Sequence, residues 1–208
     1  YVICKTPMAK SITKRTLAGF SKAKVNTRHF NDLINQIKNK PEHFVAKVAR
    51  GCSYWKAIKN DNMKFNAIVG NPPYQEMDGG SGVSARPVYN KFVEVSKQIN
   101  PHYISIIMPS RWFIGGKGLD DFRETMLNDK HIRKLFDFET SNDIFPGVDI
   151  AGGVCYLLWD ASYNGKCAVT NSINKERHTK ERDLSEFEVF IRRAQAVEII
   201  KKISSYNE

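Results

Sequence analysis

The run Phe65-Asn66-Ala67-Ile68-Val69 passes directly into Gly70-Asn71-Pro72-Pro73-Tyr74, and no other junction in the sequence limits the fold as tightly. Residues 65–69 are enough for a strand buried on both faces and too few for a helix. Gly70 and the paired prolines stop the run. Proline fixes its own backbone and drives the preceding residue toward extended geometry, which holds Asn71 and Pro72 out of the helical region. Neither proline has an N–H to donate, so the arm is rich in carbonyl acceptors. In an open α/β sheet, ligands gather beyond the carboxyl ends of the strands, and the tetrapeptide is expected there. Asn-Pro and Pro-Pro also serve as ordinary loop punctuation. The strand before and the aromatic residue after argue for a site.

Downstream, Val88, Phe92, Val95 and Ile99 recur at helical spacing up to Asn100-Pro101, and residues 103–108 read as a strand closed by Pro109. Leu119, Phe122 and Met126 mark another helix, and residues 132–138 and 153–159 read as strands. This order predicts an α/β fold whose sheet is mostly parallel with an antiparallel finish, with helices on both faces. Upstream, Phe30, Leu33, Ile34 and Ile37 predict a short helix ending before Pro41, whereas residues 1–25 show no clear period and read as irregular. Asp78-Gly79-Gly80-Ser81-Gly82 reads as a loop, either a flap or a solvent turn. Residues 161–183 are polar and read as a linker or excursion. A closing helix is predicted from near Ser185, with Glu188 completing a capping box and Phe187, Phe190, Ala194, Val197 and Ile200 as its stripe. The chain is expected to divide into a basic segment (1–62), a part built around the tetrapeptide (63–160) and a linker with closing helix (161–208) that leads toward a further domain.

Net charge is +10, and almost all of it lies in residues 1–50, where eleven Lys and Arg face only Asp32 and Glu42. Lys14, Arg15, Lys22 and Lys24 are candidate phosphate contacts there; the alternative is a solvated segment exposed by truncation. Cys4, Cys52, Cys155 and Cys167 form no Cys-x-x-Cys pair and the five histidines no ligand pattern, which argues against a metal site and a disulfide framework. No apolar run approaches the roughly 18 residues of a membrane span. With no signal-peptide pattern either, a cytoplasmic location without membrane contact is expected. The sequence starts at Tyr1 rather than Met, so a fragment is expected. Arg111, in Ser110-Arg111-Trp112 just after a strand, is expected on the face of the tetrapeptide, touching a phosphate or a base, or else in a structural ion pair. Gly115-Gly116-Lys117-Gly118 lacks the spacing of a phosphate loop and reads as a turn. No Glu-x-Lys occurs, so no metal-dependent nuclease site is visible.

The tetrapeptide suits methylation of an exocyclic amino group. The amino nitrogen of adenine is a poor nucleophile because its lone pair is delocalised into the ring. Two acceptors aimed at its hydrogens, the Asn71 side-chain oxygen and the Pro72 carbonyl, favour a more tetrahedral nitrogen and stabilise the positive charge that grows on attack. Tyr74 offers a flat face for a base extruded from a duplex.

Residues 63–160 resemble amino-group DNA methyltransferases, specifically the adenine-N6 enzymes of restriction–modification systems. The resemblance is carried by Asn71-Pro72-Pro73-Tyr74, Pro87-Val88-Tyr89-Asn90-Lys91-Phe92, Ile106-Ile107-Met108-Pro109-Ser110-Arg111-Trp112, Phe145-Pro146-Gly147-Val148 and Gly152-Gly153-Val154, in the family's order. It implies a Rossmann-like methyltransferase sheet and S-adenosylmethionine as cofactor. It makes Asn71, Pro72, Pro73 and Tyr74 catalytic, with Asn71 also touching the cofactor, and duplex DNA with a flipped adenine the partner, alongside a restriction or recognition domain or subunit. The family's Phe-x-Gly-x-Gly cofactor turn does not precede Phe65, and Asn66 replaces a common acidic residue. The chain therefore corresponds to the catalytic half, and activity of this half alone is not expected. The tetrapeptide also occurs in enzymes that methylate RNA bases or a protein glutamine amide. A further alternative is a DNA-binding or assembly module that kept the catalytic loop without catalysis.

Overall fold

The computed structural model describes residues 1–20, 25–49, 64–76, 85–173 and 176–205. They form two compact units, Tyr1–Phe65 with Glu94–Asn100, and Asn66–Val93 with Pro101–Glu208.

In the first unit, β1 (Val2–Cys4) pairs in parallel with β2 (Thr27–His29), and α1 (Pro7–Phe20) lies between them in sequence. This corrects the expectation of irregular structure over residues 1–25. Pro7 opens the helix, where a missing N–H costs nothing, and Thr6 Oγ1 accepts the Ala9 N–H at 3.1 Å as a cap. The Thr-Pro start was readable. The period was not, because Met8, Ile12 and Leu17 all stand exposed and mark no single buried face. The helix expected before Pro41 is α2 (Leu33–Asn39), and Pro41 itself starts α3 (Pro41–Ala49). Leu33, Ile37, Phe44 and Val48 are buried, with the Phe30 and Phe44 rings 5.5 Å apart.

The second unit is built on β3 (Ala67–Gly70), the small antiparallel pair β4 (Gln75–Glu76) and β5 (Arg86–Pro87), the first half of α4 (Tyr89–Gln98), whose residues from Glu94 on belong to the first unit, and β6 (Tyr103–Pro109). There follow α5 (Asp120–Leu127), β7 (Ile132–Phe138), β8 (Val154–Asp160), β9 (Cys167–Ile173), β10 (Glu176–Arg182) and α6 (Ala194–Ser204). Six strands form one sheet in the order β10-β9-β7-β8-β6-β3. β3 is parallel to β6 and β7 to β9, whereas β8 runs antiparallel between β6 and β7, and β10 antiparallel at the edge. Four strands therefore point one way and two the other: the α/β fold, mostly parallel with an antiparallel finish, is as the sequence order implied. The core lies between sheet and helices. Trp112 packs edge-on to Phe113 (4.7 Å) and Phe122 (5.9 Å), over Ile104, Met108, Leu135 and Leu157.

Three expectations are corrected here. First, β3 is not buried on both faces: β6 is its only strand neighbour among the described residues, and Val69 is 80% exposed. An apolar run reports affinity for burial, and at a sheet edge one side of it is left open. Second, residues 161–183 are not a linker but supply β9 and β10. The polar Thr170 and Asn171 are buried because bonds satisfy them, with Thr170 Oγ1 2.8 Å from Thr179 Oγ1 and Asn171 Nδ2 donating to Asp137. β10 is polar throughout, with five of its seven residues Glu, Lys or Arg, as suits an edge that must not pair with another chain. Third, the closing helix starts at Ala194, not near Ser185. Asp183 accepts the Ser185 N–H at 3.0 Å in a short 3₁₀ turn, Leu184–Glu186, and residues 187–193 form a strap. Phe190 is committed to the core, 4.5 Å from the Phe113 ring and under the Arg182 guanidinium at 4.7 Å, so it is unavailable to a helical stripe.

No described helix is long and apolar enough to cross a membrane. Among the described residues no three His, Cys, Asp or Glu converge as metal ligands, and Cys4, Cys155 and Cys167 are free and buried.

Candidate active site

Gly70 ends β3 opposite Ile106 of β6, and the chain leaves the sheet there as Asn71-Pro72-Pro73-Tyr74. Asn71 is exposed, Pro72 buried, and Pro73 and Tyr74 half-buried. The Tyr74 carbonyl accepts the Val88 N–H at 3.1 Å, and Gln75 and Glu76 pair with Pro87 and Arg86. The rigid arm is thus anchored immediately after Tyr74 by the residues that lead into α4. The loop read at residues 78–82 lies outside the described residues.

The Tyr74 hydroxyl is buried without a hydrogen-bond partner among the described residues. Burial, with the Cys155 thiol adding to the effect, pushes it up to about 12. Tyr89, at the start of α4, is raised by burial too, again with Cys155 adding and the Arg111 guanidinium opposing. Cys155 accepts the Trp112 Nε1–H at 3.4 Å, and burial pushes its thiol up to about 12, so it is inert as a nucleophile.

β6 ends in a 3₁₀ turn, Ser110–Phe113. Because β3 and β6 are parallel, this turn and the tetrapeptide leave the same edge of the sheet. Arg111 is exposed on the turn and has no ion pair with a described residue, while Trp112 and Phe113 are buried beneath it. Gly115, Gly116, Lys117 and Gly118 follow with positive φ, and Asp120 Oδ1 closes them by accepting from Gly116 N–H and Arg123 Nη1, a turn as the sequence suggested. Asn71, Pro72, Pro73, Tyr74 and Arg111 therefore lie along the same edge of the sheet. Lys14 and Arg15 are exposed on α1 in the other unit, and Lys22 and Lys24 lie outside the described residues.

Sequence reasoning missed a cluster under this edge. Asp137, at the end of β7, is 0% exposed and accepts from Ser110 Oγ (3.0 Å), Asn171 Nδ2 (3.3 Å), and Arg192 Nε (2.8 Å) and Nη2 (2.6 Å). Its partners lie 27 to 55 residues away, so no spacing rule could have found it.

An exposed amide beside a carbonyl-rich arm and a half-buried aromatic ring can accept hydrogens from, and stack on, a planar amino-bearing group. The described residues do not themselves make a site for S-adenosylmethionine. Asn71 is the one nominated contact, and beside it the outer edge of β3 carries exposed Val69 and no neighbouring strand among the described residues.

The orphaned hydroxyl gives a first prediction. Tyr74→Phe removes a buried oxygen that bonds no described residue and should be neutral or stabilising, by up to about 1–3 kcal/mol. The fold favours the neutral phenol, so the parent's stability holds below about pH 10 and falls as pH rises toward 12, whereas the Phe variant has no phenol to ionise; alkaline melting curves should separate the two above pH 10.

A family model, the Eco57I restriction-modification methylase, matches residues 1–145. An uncharacterised adenine-specific methylase of Mycoplasma pneumoniae is 33% identical over 132 residues, covering 62% of this chain and 31% of that protein. The methyltransferase subunit of a type I restriction-modification system from Streptococcus thermophilus superimposes with a TM-score of 0.54 at 11% identity, over 99% of this chain and 42% of the subunit. A structure from a study of type I restriction–modification complex assembly gives 0.52 at 11% identity, over 81% of this chain and 31% of its own. The chain thus spans about a third of the curated relative, and the two structural likenesses bear on the fold alone.

Proposed function

The chain belongs to the Eco57I restriction-modification methylase family, and we propose that it is the catalytic part of an enzyme that methylates the N6 amino group of adenine in duplex DNA, with S-adenosylmethionine as donor. The observation that carries this is the exit of Asn71-Pro72-Pro73-Tyr74 from the carboxyl end of β3, with the Asn71 amide exposed and Tyr74 anchored next to it. Asn71 and the Pro72 carbonyl accept the two amino hydrogens, holding the nitrogen and offsetting the charge it gains. Tyr74 stacks on the extruded base, while Arg111, on the same edge, meets a phosphate or the base. Lys14 and Arg15, with Lys22 and Lys24, contact the duplex through phosphates. The walls of the donor site come from residues other than those described, so the reading applies to the complete protein. A cytoplasmic restriction–modification system, with a recognition or restriction domain or subunit as partner, belongs to the same reading.

The acceptor chemistry by itself also serves an RNA base or a glutamine amide. The complete protein, given radiolabelled S-adenosylmethionine with duplex DNA, RNA or a mixed protein extract, is expected to label adenine N6 in duplex DNA. Label found only in RNA or on glutamine overturns the substrate. DNA binding without any transfer points instead to an assembly module.

A further inference from the structure

Three loops at the carboxyl edge of the sheet, remote in sequence, are fastened by the strap at residues 187–193. The Phe190 N–H donates to the Phe113 carbonyl at 3.0 Å, which fixes the end of the turn carrying Arg111. Arg192 grips Asp137 with two nitrogens and donates from Nη1 to the Gly152 carbonyl at 2.8 Å. Arg193 makes a two-point contact with Glu139 at 3.0 and 2.8 Å and holds that carboxyl below its ordinary range. The turn after β6, the end of β7 and the bend before β8 therefore share one clamp.

Arg192 is its centre. Stability alone is a poor reason for such a pair, since buried ion pairs are often matched or bettered by apolar side chains of the same volume. A guanidinium fork gives fixed geometry. Asp137 Oδ1 is shared by Arg192 and Ser110, and Ser110 opens the turn whose Trp112 donates to Cys155. The Trp112 ring also lies 5.9 Å from that of Phe122, which lies 6.2 Å from that of Tyr89, the neighbour of the Val88 whose N–H holds the Tyr74 carbonyl. The contacts are continuous from the strap to the tetrapeptide.

We propose that Arg192 is a positioning residue: it sets the turn bearing Arg111 and, through Trp112, Phe122 and Tyr89, the seat of Tyr74. This rests on the reading of Asn71 to Tyr74 as the amino-acceptor site.

Arg192→Lys in the complete protein tests it. Lysine keeps the charge beside Asp137, so the carboxylate stays paired, but it cannot make the fork. Single-turnover methyl transfer should fall about 10- to 10²-fold, the scale of a small misplacement of reacting groups. The KM for DNA should change far less, as befits an effect on the chemical step. Hydrogen exchange should quicken at residues 110–113 and 152–153 and stay unchanged in β9 and β10. Should the lysine variant not fold, Asp137→Asn with Arg192→Met removes both charges together and is read the same way. A folded variant with the parent's transfer rate overturns the proposal. So does a rate loss accompanied by faster exchange throughout the sheet, which marks a merely structural pair. If the unaltered protein transfers no methyl group, the acceptor-site reading itself fails, a result distinct from an active parent indifferent to Arg192.

Discussion

Gly153→Ala is expected to leave little folded protein. Gly153 has φ +78°, and a Cβ there would lie 2.0 Å from the Phe138 carbonyl oxygen and 2.6 Å from that of Glu139. These are backbone atoms of β7 and the loop after it, so no side chain can swing away. Gly153 also donates to the Ile150 carbonyl at 2.8 Å and accepts the Ser110 N–H at 3.1 Å, which fixes the start of β8 against the turn after β6. The left-handed backbone costs an alanine about 1–2 kcal/mol. Overpacking adds about 1–3 kcal/mol more, before any broken bonds. Gly147→Ala is the control: φ is +77° there, but nothing lies within 4 Å of the added carbon. It should show only the conformational cost. Denaturant melts of the two variants separate the effects, and equal losses would mean that β7 does not approach Gly153 so closely.

What could be read in advance depended on whether a residue's neighbours were local. The alternation of strand and helix between residues 65 and 160 was legible, because Val88, Val95, Ile104, Ile106, Leu119, Phe122 and Leu157 all bury the side their spacing marks. The tetrapeptide was legible for a similar reason: prolines and a strand end dictate their own geometry. β9 was not. Its buried Thr170 and Asn171 look like linker until Thr179 and Asp137 satisfy them from elsewhere. The strap was hidden likewise, since Phe190 and Arg192 follow a capping-box pattern and find their partners in Phe113 and Asp137, far back in the chain. α1 failed in the opposite sense: its start was written in Thr6-Pro7, but no buried stripe confirmed it.

Asn71→Ala should slow the chemical step about 10²- to 10³-fold in the complete protein, the usual effect of deleting one preorganised polar group aimed at developing charge. The side chain is exposed, and no core contact among the described residues depends on it, so the melting temperature should hold within the small range of ordinary surface substitutions. The loss therefore has to appear in the rate. Substrate and transition state differ here in the charge on the amino nitrogen, which is near zero before attack and positive during it. An acceptor that strengthens with that charge acts mainly in the transition state, so the rate at saturation should fall while the KM for DNA moves little. Asn71→Asp tests the chemistry from the other side. It keeps an acceptor oxygen of the same reach and should retain more activity than alanine, whereas a site that needed the amide N–H would lose as much with Asp as with Ala. Single-turnover transfer to a duplex, measured for both variants, decides between them. A rate near the parent's for Asn71→Ala, with an unchanged melting temperature, would remove Asn71 from the acceptor site and leave Pro72 as the remaining carbonyl able to hold the amino group.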